Sequence, residues 1–186
     1  VTLLVYPLVE DLVHRYVLHS RWLYRSPWTA RLWKRIHYDH HQNPNDLGVL
    51  FGALYTMLPT IALITLPLGW WIGGRAGAAA AFAAGCGVFA FYEFCHCLQH
   101  LPITPKNRWL RAIKRRHLAH HFHNEQGNFG ITSGIIDRLL GTLYDPPNSW
   151  PKSPTAFNLG YVGSERERYP WVAQLSADDR EVAKAR

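Results

Sequence analysis

Apolar residues along this chain fall into long unbroken runs and helical repeats, and the pattern predicts an all-α protein. The longest runs are "LGVLFGALYTMLPTIALITLPLGWWIGG" and "AGAAAAFAAGCGVFAFY", and Arg75 is the only charged residue between Leu47 and Tyr92. Each run is close to or beyond the roughly 20 residues that cross a bilayer as a helix. Together they predict a transmembrane hairpin turning at "GGRAG", residues 73 to 77, with Pro59 and Pro67 kinking its first helix. A buried helix pair in a soluble bundle is the plainer alternative, but adjacent uncharged stretches of this length are rare in soluble folds.

The opening "VTLLVYPLVEDLVHRYVLHS" begins with its apolar run already under way and lacks the pattern of a signal peptide. It reads as the cytoplasmic end of a further membrane helix whose start is expected upstream. After Tyr144, "DPPNSWPKSPTAFNLGYVGSERERYPW" is Pro-rich and then charged. Residues 145–186 are therefore expected to form a loosely ordered cytoplasmic tail behind a membrane-embedded domain at 1–144.

Charge gives the hairpin an orientation. The 186 residues carry a formal charge of +7. Arg21, Arg25, Arg31, Lys34 and Arg35 precede the hairpin, and Lys106, Arg108, Arg111, Lys114, Arg115 and Arg116 follow it. By the positive-inside rule both flanks are cytoplasmic, which accounts for the basic balance without a nucleic-acid partner. Trp22, Tyr24, Trp28, Trp33 and Trp109, interleaved with these bases, suit helices lying in the headgroup layer. Cys86, Cys95 and Cys97 are too few and too membrane-embedded for a disulfide framework and read as packing residues.

The chemistry lies in histidine. Of 11 histidines, all but His123 fall in four short clusters: "HRYVLH" at 14–19, "HYDHH" at 37–41, "HCLQH" at 96–100 and "HLAHH" at 117–121. Residues three and four apart share a helix face. His37, His40 and His41 therefore point one way, as do His117, His120 and His121, and His96 pairs with His100. His14 and His19 are five apart, about 140° round an α-helix, and could grip a site from wider angles or across a helix end. All four clusters lie near one predicted membrane face, so four helix ends can enclose one site. Ten imidazoles exceed the needs of one ion; two metal ions sharing them, about five each, is the natural count.

A lone histidine on an apolar face is usually a hydrogen-bonded core residue; four clusters in order are a metal signature. Imidazole suits iron, zinc, copper and nickel alike. The nearby carboxylates are few: Glu10, Asp11, Asp39 and Glu93. Glu93, one turn before His96, is a candidate to orient a ligand imidazole. In "NFGITSGIIDRLLGT", Ser133 and Gly141 would bound a short helix whose Ile135, Ile136, Leu139 and Leu140 face the core. There Asp137 could orient a histidine or pair with Arg138 or another base, and Asn128 could support the site through its amide. Gly127 and Gly130 are expected to serve the turn.

These four boxes, the hairpin between the second and third, and the "NFGITSGIIDRLLGT" stretch resemble the fatty acid hydroxylase/sterol desaturase superfamily of membrane di-iron enzymes. The resemblance runs from about Val9 to Tyr144 and is nearest to fatty acid 2-hydroxylases. It implies one metal held by His14, His19, His37, His41 and His120, and another by His40, His96, His100, His117 and His121; His123 has no place in that scheme. It also implies two iron ions, with zinc possible in isolated protein, and O2 as co-substrate. The expected activity is that of a di-iron monooxygenase hydroxylating the aliphatic chain of a membrane lipid. No segment here resembles the haem electron-transfer domain that eukaryotic lipid hydroxylases often carry, so a separate ferredoxin- or cytochrome-like partner is expected to supply electrons. A carotenoid hydroxylase or sterol oxidase/desaturase would share every ligand. A zinc-dependent membrane hydrolase would need neither O2 nor reductant, and a histidine-rich metal-handling or haem-binding protein would not explain the repeated triplets.

Overall fold

The computed structural model describes residues 2–176, and among them every regular element is helical. Helix α1, Thr2–Val13, passes directly into a π-helical turn at His14–Leu18. Two short helices follow, α2 at Trp22–Arg25 and α3 at Pro27–Trp33, the latter opening on a proline whose missing N–H is no loss at that position. A second π turn, Lys34–Tyr38, leads into α4, Asp39–Gln42. Asp46 caps the short α5, Leu47–Leu50, by accepting from the Gly48 N–H.

The apolar region is a single long element, α6, Leu54–His100, whose backbone leaves helical geometry only at Gly73 and Gly74. Gly74 sits at φ 56°, where only glycine is at ease. The two arms meet across that break. A Cβ on Gly69 would run into the Gly77 carbonyl, and one on Gly85 would lie 2.8 Å from Ile61. Small residues here let two backbones approach as they do between membrane helices. The helix continues through Pro59 and Pro67. It is long and apolar enough to cross a membrane, and only 11% of its most apolar stretch is buried within the protein. Leu63, Trp71 and Ile72 project outward. A soluble protein's core helix would be covered.

Asn107 caps α7, Arg108–Phe122, by accepting from the N–H groups of Trp109 and Leu110. Two small helices follow, α8 at Ile135–Leu139 and α9 at Ser164–Arg168, with a 3-10 turn at Pro147–Ser149 between them. α7 runs alongside the end of α6, with Cys95, Ile113 and Ile131 forming a small core between them.

Three expectations are corrected. Residues 145–176 are packed rather than loose: Leu159, Tyr161 and Val172 share a core with Leu23, Tyr24, Ala30, Trp33 and Tyr38. Residues 177–186 lie outside the described residues. Tyr24 and Trp33 accordingly belong to this core and not to a headgroup layer; the Trp33 indole donates to the Leu18 carbonyl and the Tyr24 hydroxyl to Glu165. Trp22 and Trp28 remain exposed. Finally, α8 is turned inside out. Ile135, Leu139 and Leu140 face outward while Asp137 is buried, because its carboxylate accepts from the backbone of Phe129 and Gly130. An aspartate with inward partners fixes the helix rotation, and its apolar side is left for the surroundings.

Candidate metal centre

The four histidine clusters converge, and nine of their ten imidazoles enter two adjoining groups. In one, ligand atoms of His40, His96, His100, His117 and His121 lie within 4.8 Å of one another; in the other, those of His14, His19, His37 and His41 do so. His120 stands beside the second set, its ring centroid 4.8 Å from both His14 and His19 and 5.1 Å from His41. The groups touch where His41 and His121 approach to 4.2 Å between ring centroids. His123 is elsewhere, bonded to the Trp150 carbonyl.

His14 and His19 do not splay as an α-helix would make them. The π turn between them closes with a bond from the His19 N–H to the His14 carbonyl at 3.1 Å, an i→i+5 link that stacks residues five apart. Their Nε2 atoms come to 3.3 Å. The wide angle of an α-helix is closed because the π turn takes one more residue per turn, bringing residues five apart nearly into line.

Loops aim the rings of the His14 group. The Nδ1 atoms of His14, His41 and His120 lie 2.5, 2.7 and 2.8 Å from the carbonyls of Phe129, Ala156 and Gly127. A carbonyl only accepts, so each Nδ1 carries the proton and each Nε2 turns a lone pair inward. In the His40 group the Nε2 atoms meet directly: His40 with His96 at 3.0 Å, His117 with His100 at 2.8 Å and with His121 at 3.1 Å.

Both arrangements fit metal. The inward Nε2 atoms of His37, His41 and His120 are buried and lack a hydrogen-bond partner among the described residues. Nε2 atoms drawn this close, on rings whose Nδ1 atoms are buried without a hydrogen-bond partner among the described residues, form a donor set that suits a cation. Burial, first, and the neighbouring imidazoles, second, push His37, His117 and His121 well below the ordinary histidine range. The rings are neutral at physiological pH, the form that ligates.

The surroundings match known proteins. The fatty acid hydroxylase family model covers residues 1–142. The chain belongs to the fatty acid hydroxylase family. Ceramide very long chain fatty acid hydroxylase SCS7 of Saccharomyces cerevisiae is 32% identical over a match covering 76% of this chain and 36% of its own length. Dihydroceramide fatty acyl 2-hydroxylase FAH2 of Arabidopsis thaliana is 30% identical, covering 75% of this chain and 57% of its own. Fatty acid 2-hydroxylase of Rattus norvegicus is 28% identical, covering 81% and 40%. This chain thus spans between about a third and three fifths of these relatives. Among solved structures, full-length scs7p, with only its hydroxylase domain visible, superposes with a TM-score of 0.69 at 30% identity, covering 81% of this chain and 55% of that one.

In this member of the fatty acid hydroxylase family the three residues expected to support the ligands touch loop backbone rather than a histidine ring. Asp137 acts one step out: it accepts from the N–H groups of Phe129 and Gly130 and from the Thr142 hydroxyl, holding the loop whose Phe129 carbonyl aims His14. Its ion pair is with Arg15 at 3.3 Å, not with Arg138. Asn128, at φ 56°, clips the same loop to Tyr144 through both its amide and its carbonyl. Glu93 accepts from the Gly52 N–H at 2.9 Å and bonds no histidine. Glu10, counted only among nearby carboxylates, proves to clamp the loop from α1, accepting from Ile131, Thr132 and the Thr132 hydroxyl. The carbonyls of Gly127, Phe129 and Ala156 were invisible in the sequence, since every residue has one. Gly127 gave a partial signal: a Cβ there would lie 2.5 Å from the Thr142 carbonyl.

Beside both groups opens a cavity of about 190 Å³. His14, His37, His40, His96, His117 and His121 line one end, and Val9, Val13, Ile36, Met57 and Phe89 are among the apolar walls.

Proposed function

We propose that this chain is an O2-dependent di-iron monooxygenase that hydroxylates the aliphatic chain of a membrane lipid, fatty acyl or related. The observation carrying this reading is the pairing of two buried imidazole groups with an apolar cavity that ends on them. The fatty acyl hydroxylases it resembles act in the same chemical territory.

His14, His19, His37, His41 and His120 would hold one iron, and His40, His96, His100, His117 and His121 the other. Iron bound there would supply the activation of O2 needed to hydroxylate an unactivated C–H bond. The chain does the rest. The carbonyls of Phe129, Ala156 and Gly127 fix three ring orientations before any ligand arrives. Val9, Val13, Met57 and Phe89 exclude water and align an alkyl chain against the imidazole end of the cavity. The arms of α6 span the bilayer as a hairpin, with the histidines at its cytoplasmic face, so a membrane lipid reaches the site without leaving the apolar phase. A separate electron-transfer protein supplies reducing equivalents.

The test is metal content of anaerobically purified full chain, followed by reduction and O2 exposure with membrane lipid extract. About two irons per chain and a lipid heavier by one oxygen are expected. An iron-reconstituted protein that leaves O2 and lipid untouched overturns the reading and favours a zinc hydrolase.

A further inference from the structure

The basic residues of α7 form more than a membrane flank. Arg108, Arg111 and Arg115 are exposed along one stripe of the helix, which Leu118 and the exposed Phe122 continue. Arg111, Lys114, Arg115, Leu118, Phe122 and His123 line a recess of about 480 Å³ there. The opposite side of the same helix carries His117, His120 and His121, all fully buried. The recess and both histidine groups are therefore separated by the thickness of one helix, about 10 Å.

Its position argues against lipid as the occupant. Trp109 stacks on Phe91 of the apolar arm at 6.0 Å, Ile113 packs with Cys95, and His117 meets His100. α7 thus keeps pace with α6 to its end at His100 and then continues to Phe122. Phe122 contacts Phe157 at 5.7 Å, and both rings are exposed beyond the apolar arm. An exposed aromatic pair outside the lipid layer, bordered by cations, has the anatomy of a protein interface: apolar centre, charged rim.

We infer that this recess is the docking surface for an acidic electron-carrying protein, which would pass electrons through α7 to the irons that the histidine groups would hold. The inference rests on the hydroxylase reading for its need of electrons. Converting R–H and O2 to R–OH and H2O consumes two electrons and two protons, and the lipid supplies none of them. An acidic iron–sulfur protein of the ferredoxin class would deliver the electrons one at a time, steered by Arg108, Arg111 and Lys106.

The test is binding, read without turnover. Full chain in phosphatidylcholine nanodiscs is titrated with an acidic plant-type [2Fe–2S] ferredoxin at low and at about 0.15 M ionic strength, where screening is strong. Wild type should bind in a salt-sensitive manner. Arg108→Glu with Arg111→Glu, and separately Lys106→Glu, should weaken binding about tenfold or more, while Arg31→Glu, an exposed arginine on α3, should not. Phe122→Ala should weaken binding while preserving its salt dependence. The inference falls if wild type shows no salt-sensitive binding, or if Arg31→Glu does equal damage. It also falls if the α7 variants keep ferredoxin affinity and lose only a preference for phosphatidylserine on reconstitution. Ferredoxin binding by a chain that never oxidises lipid would count against the hydroxylase reading and leave the docking surface standing.

Discussion

The two histidine groups are built by different means. In the His40 group, four of five members sit on α6 and α7 at four-residue spacings, so ordinary helical periodicity collects them. All five of its Nδ1 atoms are buried without a hydrogen-bond partner among the described residues. In the His14 group, three Nδ1 atoms are tied to carbonyls from loops, two of them 115 residues away in sequence. One group is positioned by its own helices, the other by distant backbone. The first should tolerate loop damage that the second does not.

Removing a ligand from each is the harshest test. If each group holds its own ion, as proposed, His120→Ala and His121→Ala should each abolish turnover while lowering metal content from about two per chain to about one. Metal analysis and lipid mass shift check this; undiminished activity in either variant removes that residue from the site. Asp137→Ala should discriminate between the groups. It takes the acceptor from Phe129, Gly130 and Thr142, so the carbonyl facing His14 drifts. A loss of about 10–100-fold in metal affinity is expected, confined to the His14 group. Equal loss from both groups would show that they behave as one unit. Tyr161→Ala acts further out. Tyr161 packs on Tyr24 at 5.3 Å and on Tyr38 at 5.8 Å, and the segment before it carries the Ala156 carbonyl that holds His41. About 3 kcal/mol of stability should be lost on thermal unfolding, with the His14 group loosening before the His40 group.

The same division explains what the sequence could tell. Histidine spacing on α6 and α7 was legible because it depends on local periodicity alone, and so was the long apolar element with its break at Gly73 and Gly74. The His14–His19 spacing left the geometry of the pair open, because no single residue announces the π turn that brings the two rings together. The loop carbonyls left no residue-type signal at all. Residues 145–176 looked loose for their prolines and charges, yet Tyr161, Val172 and Leu159 are buried against Tyr24 and Trp33. Their burial depends on partners more than 100 residues earlier, and composition cannot show that. α8 was misread for the opposite reason: its apolar residues were assumed to seek the core, whereas in a chain bordered by lipid the buried side can be the polar one.

The weakest effect is expected at a charged tie on the outside of the helix that carries the His40 group's last members. Asp145 accepts from Arg115 at 2.6 and 2.8 Å and from Arg116 at 3.2 Å, pinning the start of the C-terminal segment to the outside of α7. The hydrogen bonds from Arg115, then the charges of both guanidinium groups, hold its carboxyl below the usual carboxylate range. A carboxyl with a depressed folded value stabilises the fold fully above its unfolded value, near 3.9, and loses that contribution as pH falls toward the folded one. Asp145→Asn should therefore cost less than about 1 kcal/mol at neutral pH, because Arg115 is half exposed and water screens the pair. It should also flatten the acid limb of the stability profile below that value. Metal content of the His40 group should not change, since α7's own spacing places His117 and His121. A selective loss of metal from that group in Asp145→Asn would mean that it too depends on distant anchors, and the contrast between the two groups would fail.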